Sequence, residues 1–150
     1  MKKFNFSLQK VLEIKEQLLE NSKIELGNLN NELSKLENLI SDIKLDYKEF
    51  TEEFDRKIVK SVSVPEMAFF KISSMGMIRQ IENKEKERDV ILYRIDEKKK
   101  EIIEKNTEIS GLEKLKEKEL TEYNKVIAKR EEIFIEEFVS NKRVSASYIL

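Results

Sequence analysis

The side chains in this sequence whose pairing could suggest acid–base chemistry are carboxylates, and its 150 residues include no histidine and no cysteine. That absence excludes zinc sites and nucleophile–base pairs built from those two residue types. Adjacent carboxylates occur at Glu52 and Glu53 and at Glu131 and Glu132. Catalysis by such pairs needs a water-excluding cleft with converging groups, so the elements that hold them decide their role.

The composition is typical of long helices. Charged and hydrophobic residues each make up 39% of the chain, with only three glycines and one proline to form turns. The 29 basic residues nearly balance the 30 acidic ones, and the short run Lys98–Lys100 is flanked by acidic residues. We therefore expect no nucleic-acid partner. No disulfide can form, the N-terminus has no apolar signal-peptide core, and no apolar run is long enough to predict a membrane span.

Apolar residues recur at alternating spacings of three and four in the first third of the chain. Twelve of the fourteen positions in this seam are apolar, which predicts a coiled-coil helix over about residues 7–58, capped by Ser7. The seam positions are Leu8, Leu12, Lys15, Leu19, Ser22, Leu26, Leu29, Leu33, Leu36, Ile40, Ile43, Tyr47, Phe50 and Phe54.

A turn is predicted at about residues 59–63. Ser63 and Glu66 have capping-box spacing and Pro65 falls in the first turn, so a second helix is expected over about 64–138, with a frayed tail at 139–150. Gly76 follows two serines and a methionine, and a kink or short break is expected at residues 73–76. The heptad position of the second helix holds Ile81, Arg88, Ile95, Ile102, Ile109, Lys116 and Tyr123.

A short loop between long helices makes them antiparallel neighbours. The predicted fold is all-α: one domain, residues 1–150, forming a long antiparallel two-helix coiled-coil hairpin whose second helix is the longer. A two-helix hairpin offers no cleft, so we expect no enzymatic activity, catalytic residue, cofactor or metal. The polar seam residues are interpreted as setting register, with their long side chains reaching solvent; they include Lys15, Ser22, Arg88, Lys98, Lys105 and Lys116.

The stretch Val64–Met77, "VPEMAFFKISSMGM", contains three of the four methionines beside the turn. It has two interpretations: an adaptable binding surface, or the cap of the helical core. A hairpin end has little interior, and this count of large apolar residues favours binding. The candidate residues here are Phe69, Phe70, Ser73, Met75, Met77, Gln80 and Lys84.

The other end of the hairpin gives a second candidate. If the chain reverses near residues 60–63, the segment 116–138 extends beyond the first helix and keeps an apolar face. That face either belongs to a simple cluster at the end of the core or binds a partner, and its unpaired length favours a partner. The candidate residues are Phe4, Phe6, Leu120, Tyr123, Ile127, Phe134 and Phe138.

Three segments resemble the FliJ family, the small coiled-coil proteins of bacterial flagellar type III export. They are "FNFSLQKVLEIKEQ" near the start, "SVPEMAFFKISSMGMIRQIENK" after the turn and the late "EEFVSNKRV". The resemblance spans nearly the whole chain in length, turn position and segment order. It implies a cytoplasmic protein, peripheral to the inner membrane at the flagellar base, that stimulates the hexameric export ATPase, contacts the cytoplasmic domain of the export gate and binds export chaperones.

By position, the resemblance places the gate contact at Ser73, Met77, Gln80 and Lys84, and the open end in the ATPase ring. Ser73 stands where the family commonly has a large apolar residue, and Lys84 is charged, so Phe69, Phe70 or Met75 could substitute. Two other functions fit a helical hairpin: a holdase chaperone of the prefoldin or tubulin-cofactor type that grips clients with its tips, and a homodimeric structural stalk.

Overall fold

The computed structural model describes the backbone of residues 3–149 and the side chains of residues 3–146. It contains two α-helices, α1 at Gln9–Ile58 and α2 at Val64–Ile149. Within the described residues there is no strand. The predicted fold class is therefore confirmed: the chain is an all-α helical hairpin whose second helix is the longer.

The contacts divide into two units, each built from both helices. One unit comprises the residues up to 19 together with those from 104 onward, and the other comprises Glu20–Ile103. Within each unit the helices run antiparallel, because the partner's number on α2 falls as the number on α1 rises. The pairs are Gln9 with Lys116 and Lys15 with Glu108 in the first unit, and Glu25 with Lys98 and Lys44 with Glu85 in the second.

The seam of α1 is the core of the hairpin. All fourteen predicted seam positions are buried or half-buried, and the residues between them are mostly exposed. Leu12, Leu19, Leu36, Ile40 and Ile43 are the most deeply buried apolar members. A helix of 50 residues with one apolar stripe gains its stability by burying that stripe against a partner helix, so the heptad pattern alone specifies which face of α1 packs.

The seam of α2 is less apolar. Ile95 and Ile109 are buried, and the heptad positions from Ile81 to Tyr123 are buried or half-buried. Three seam lysines reach polar groups on the other helix. Lys98 and Lys116 of α2 reach α1, where Lys98 pairs with Glu25 and Lys116 donates to the Gln9 side-chain oxygen over 2.7 Å. Lys15 of α1 pairs with Glu108 of α2. The ammonium groups of these seam lysines contact polar groups on the opposite helix, as expected for residues that set the register of the two helices.

The helices begin and end with recognisable local bonds. The Gln9 N–H donates to the Phe6 carbonyl, so α1 begins two residues after the predicted Ser7. At the turn, the Glu66 N–H donates to the Ser63 hydroxyl over 3.4 Å, which is half of the predicted capping box. Basic residues at Arg56 and Lys57 favour the carboxyl end of α1.

Two details of the second helix differ from the sequence prediction. The expected break at residues 73–76 is absent, since α2 is helical throughout and Gly76 has no positive φ. The helix also continues to Ile149, so the predicted end at about residue 138 is wrong. The predicted frayed tail at 139–150 is likewise wrong for residues 139–149, and Leu150 lies outside the described residues. Residues 139–149 lose the heptad pattern but contain no glycine or proline, so nothing in them stops a helix.

Candidate partner-binding surfaces

The tip of the hairpin, residues 50–78, is closed by an aromatic stack. The Phe70 ring lies parallel to the Phe54 ring, with centroids 3.7 Å apart and planes 8° apart. The Phe50 ring also stacks on the Phe70 ring, with centroids 5.3 Å apart and planes 15° apart. Phe70 thus contacts the last two seam residues of α1, and it is half-buried against them. Of the two interpretations of the tip, a binding surface or the cap of the helical core, the second describes the packing of Phe70.

The other predicted tip residues divide by the face of α2 on which they lie. Ser73, Met77 and Lys84 are half-buried and lie on the side that packs against α1. Phe69, Met75 and Gln80 are exposed, and Phe69 keeps 67% of its surface. The stripe inferred from the family resemblance therefore lies mostly on the packed side, and the exposed tip residues flank it.

An apolar stripe lies on the outward face of α2, and Met75 is the one member of it among the residues predicted from the sequence. Val64, Ala68, Ile72 and Met75 recur at spacings of four, four and three residues, and all are exposed, with Ile72 at 73%. This spacing places them on one face of the helix. The signal was present in the sequence, because Ile72 and Met75 lie off the heptad positions that pack against α1. A large apolar side chain off the seam marks a surface with no partner within the hairpin.

A cavity of about 300 Å³ opens at the end of the aromatic stack. Its charged wall is formed by Glu53, Lys57 and Glu66. None of these three side chains forms an ion pair with any other described residue. Its apolar wall consists of Phe50, Phe54, Pro65, Phe69 and Phe70.

The open end, where the start of the chain meets α2, is more closed than the sequence predicted. Phe6 is buried, with 4% of its surface exposed, and the Phe4 ring packs on the Tyr123 ring at 5.6 Å and 52°. Ile127 is half-buried and Leu120 is exposed. The N-terminal residues thus extend the core past residue 116, the point at which unpaired helix was expected. At this end cluster Phe4 and Tyr123 form an aromatic pair and Phe6 is buried.

Beyond this cluster, α2 has no buried residue in its described part. We call residues 128–146 the C-terminal extension; every one of them is exposed, including Phe134 at 69%. Phe138 is also exposed, and the Lys142 ammonium lies 5.3 Å from the centre of its ring. The other large apolar residues of the extension are Ile133, Ile135, Val139 and Val144. The predicted unpaired apolar segment therefore exists, but it begins about a dozen residues later than expected.

Electrostatic effects on the two helices come from exposed ion pairs. The Lys44 ammonium, 2.9 Å from Glu85, holds the pKa of that carboxyl below its ordinary value. Hydrogen bonds to Glu101 and Glu25 raise the pKa of Lys98. Each group is thereby favoured in its charged form at neutral pH, and the pairs support register without forming a reactive centre.

The carboxylates do not gather into a metal site. Among the described residues, no group of three acidic side chains is placed to hold a metal ion. The same residues include no helix long and apolar enough to span a membrane. What the structure offers is a set of exposed apolar surfaces at the tip and on the C-terminal extension.

A comparison with models of known protein families matches nearly the whole chain. The family model described as the flagellar FliJ protein matches residues 4–143, which cover both helices, the turn and most of the C-terminal extension. The chain has no significant match among curated proteins or among solved structures. With nearly the whole hairpin matched, the chain belongs to the FliJ family of coiled-coil proteins of flagellar export.

Proposed function

We propose that this protein links the flagellar export ATPase to the export gate, using the C-terminal extension for the ATPase and the tip for the gate. The FliJ family consists of non-enzymatic export components, and we infer that this chain likewise acts by binding. Export chaperones are further proposed partners, and the proposed location is the cytoplasmic side of the flagellar base.

The observation that carries the proposal is the exposure of the C-terminal extension. A single helix gains little stability in water, so we infer that these nineteen exposed helical residues, which include two phenylalanines and several β-branched residues, are covered by a partner. The centre of a hexameric ring is a concave surface that can cover such a helix on several sides. The apolar residues of the extension are spread around the helix, which suits that kind of enclosure.

The tip supplies the second contact. Phe69, Ile72 and Met75 are exposed on the first turns of α2, next to the positions that the resemblance assigns to gate binding. Aromatic side chains provide large contact area, and methionine adapts to an uneven surface. We propose that the gate domain contacts this exposed face, while Ser73, Met77 and Lys84 hold the helix against α1.

The ATPase contact is tested with the double variant Phe134→Ala, Phe138→Ala in the full chain. Both side chains are exposed, so the far-ultraviolet circular dichroism spectrum and the melting temperature should not change. Stimulation of ATPase turnover should require about thirty-fold more protein, because removing interface anchors commonly costs ~2 kcal/mol or more.

The matched control is Tyr93→Ala, an aromatic residue on the middle of α2 with 67% of its surface exposed. It should stimulate the ATPase as the wild type does. Unchanged stimulation by the double variant would contradict the assignment of the ATPase contact to the extension. Stable homodimers that form through the extension and ignore the ATPase would instead support the structural-stalk alternative.

A further inference from the structure

We propose that the cavity at the tip is a binding pocket for one aromatic side chain of a partner protein segment that carries a basic residue beside it. The pocket is distinct from the exposed outward stripe and from the positions Ser73, Met77, Gln80 and Lys84. The inference goes beyond the proposed function, because it follows from the geometry of the tip whichever protein supplies the segment.

The size and lining of the cavity fit an aromatic ring. A cavity of about 150 Å³ lined by apolar side chains is enough to admit benzene, and this one measures about 300 Å³. Its floor is the stack of Phe50, Phe54 and Phe70, with centroids 5.3 and 3.7 Å from Phe70. An entering ring can continue that stack or meet its edge, and both are favourable aromatic geometries.

The position in the fold explains why the cavity is open. The helix α1 ends at Ile58 and α2 begins at Val64, so no further helical turn follows to cover the last aromatic layer. Pro65 and Phe69 form the α2 wall, and the Phe69 ring is only one-third covered. Water beside such a surface finds few hydrogen-bonding partners, and its displacement by an apolar group is favourable.

The charges around the cavity select the neighbour of the aromatic residue. Two carboxylates, Glu53 and Glu66, and one ammonium, Lys57, line it, and none of them has an ion-pair partner among the described residues. The segment of α1 that leads to it, residues 46–57, carries five acidic residues against three basic ones. A basic side chain next to the anchor would find two carboxylates within reach, whereas an acidic one would find one ammonium, that of Lys57, and would be repelled by the two carboxylates.

The test uses fluorine NMR of the full chain labelled with 4-fluorophenylalanine. The chain has eight phenylalanines; four line the pocket, and the other four are Phe4, Phe6, Phe134 and Phe138, which serve as an internal control. Resonances are assigned with single Phe→Leu variants. The probes are the capped tripeptides acetyl-Lys-Phe-Lys-amide, acetyl-Lys-Ala-Lys-amide and acetyl-Glu-Phe-Glu-amide.

We expect the first peptide to shift the four pocket resonances with a millimolar Kd and to leave the four control resonances in place. The alanine peptide should bind about tenfold more weakly or worse, since it lacks the ring. The acidic peptide should bind about threefold more weakly. The exposed pair Glu53→Gln, Glu66→Gln should abolish the preference for lysine but keep the dependence on the ring, whereas the control pair Glu49→Gln, Glu52→Gln should keep both.

Four results would overturn the proposal: equal shifts of all eight resonances, no shift at saturating peptide solubility, equal binding of the alanine peptide, or no change of charge preference in the Glu53 and Glu66 variant. A fifth would replace the partner by a second copy of this chain, namely pocket resonances that move with protein concentration in the absence of peptide. None of these measurements uses the export ATPase or the gate, so their failure would leave the proposed function standing.

Discussion

Neighbouring phenylalanines at the tip give the clearest separation of core from surface. Phe70 stacks against both Phe54 and Phe50, whereas Phe69, one residue earlier, is 67% exposed. Half of the ~1.5–3 kcal/mol gained by fully burying a phenylalanine, plus ~0.5 kcal/mol for each of two aromatic pairs, gives about 2 kcal/mol for Phe70. Phe70→Ala should lower the free energy of unfolding by that amount, and Phe69→Ala should change it by less than ~0.5 kcal/mol.

The assay is urea unfolding followed by circular dichroism at 222 nm, with the melting temperature as a second readout. At this chain length, about 2 kcal/mol corresponds to a fall of roughly 4–8 °C for Phe70→Ala. Equal destabilisation by both variants would show that Phe69 is also packed. A stable Phe70→Ala variant would refute the claim that the aromatic stack closes the hairpin.

Three further predictions concern the seam, the ion pairs and the extension. Lys98→Glu places a negative charge against Glu25 and Glu101, the two carboxylates that Lys98 contacts. In urea unfolding it should destabilise the hairpin by ~1 kcal/mol more than the exposed control Lys99→Glu. Equal effects of the two variants would contradict the cross-helix pairing. Lys44 lowers the pKa of Glu85, so the stability from this pair is present above pH 4.5, the ordinary pKa, and is lost as the pH falls through the lowered pKa. Lys44→Met should therefore reduce the drop in melting temperature that acid causes. An unchanged drop would refute the coupling. Deleting the chain after residue 127 should leave the free energy of unfolding within ~0.5 kcal/mol of wild type, whereas a larger loss would show that the extension packs on the hairpin.

The seam shows what the sequence can determine. The positions from Leu8 to Phe54 are specified by a repeat that no globular helix keeps for so long, and each of them is buried or half-buried. The turn could be placed because proline, serine and glutamate have positional roles at the start of a helix. The seam of α1 and the turn depend on residues close to one another in the sequence, so they can be predicted from the sequence alone.

The surfaces were harder to predict because they depend on what the rest of the chain covers. Whether Phe6 is free or buried depends on how far the N-terminal residues follow α2, and the heptad pattern does not encode that distance. Phe70 and Phe69 are the same residue type in adjacent positions, and only the rotation of α2 relative to α1 separates them. The apolar pattern of α2 ends before the helix does, so the pattern alone does not predict that α2 continues to Ile149.

The central claim is that one chain joins two partners through separate ends. Its most direct test immobilises the flagellar export ATPase and measures how much gate cytoplasmic domain is retained when this protein is added. The wild type and Tyr93→Ala should retain the gate domain. The Phe134→Ala, Phe138→Ala variant should lose retention because it no longer binds the ATPase, and the tip variant Ile72→Ser, Met75→Ser should lose it while remaining on the ATPase. Retention of the gate domain by either variant at the wild-type level, or no retention by the wild type, would contradict the account.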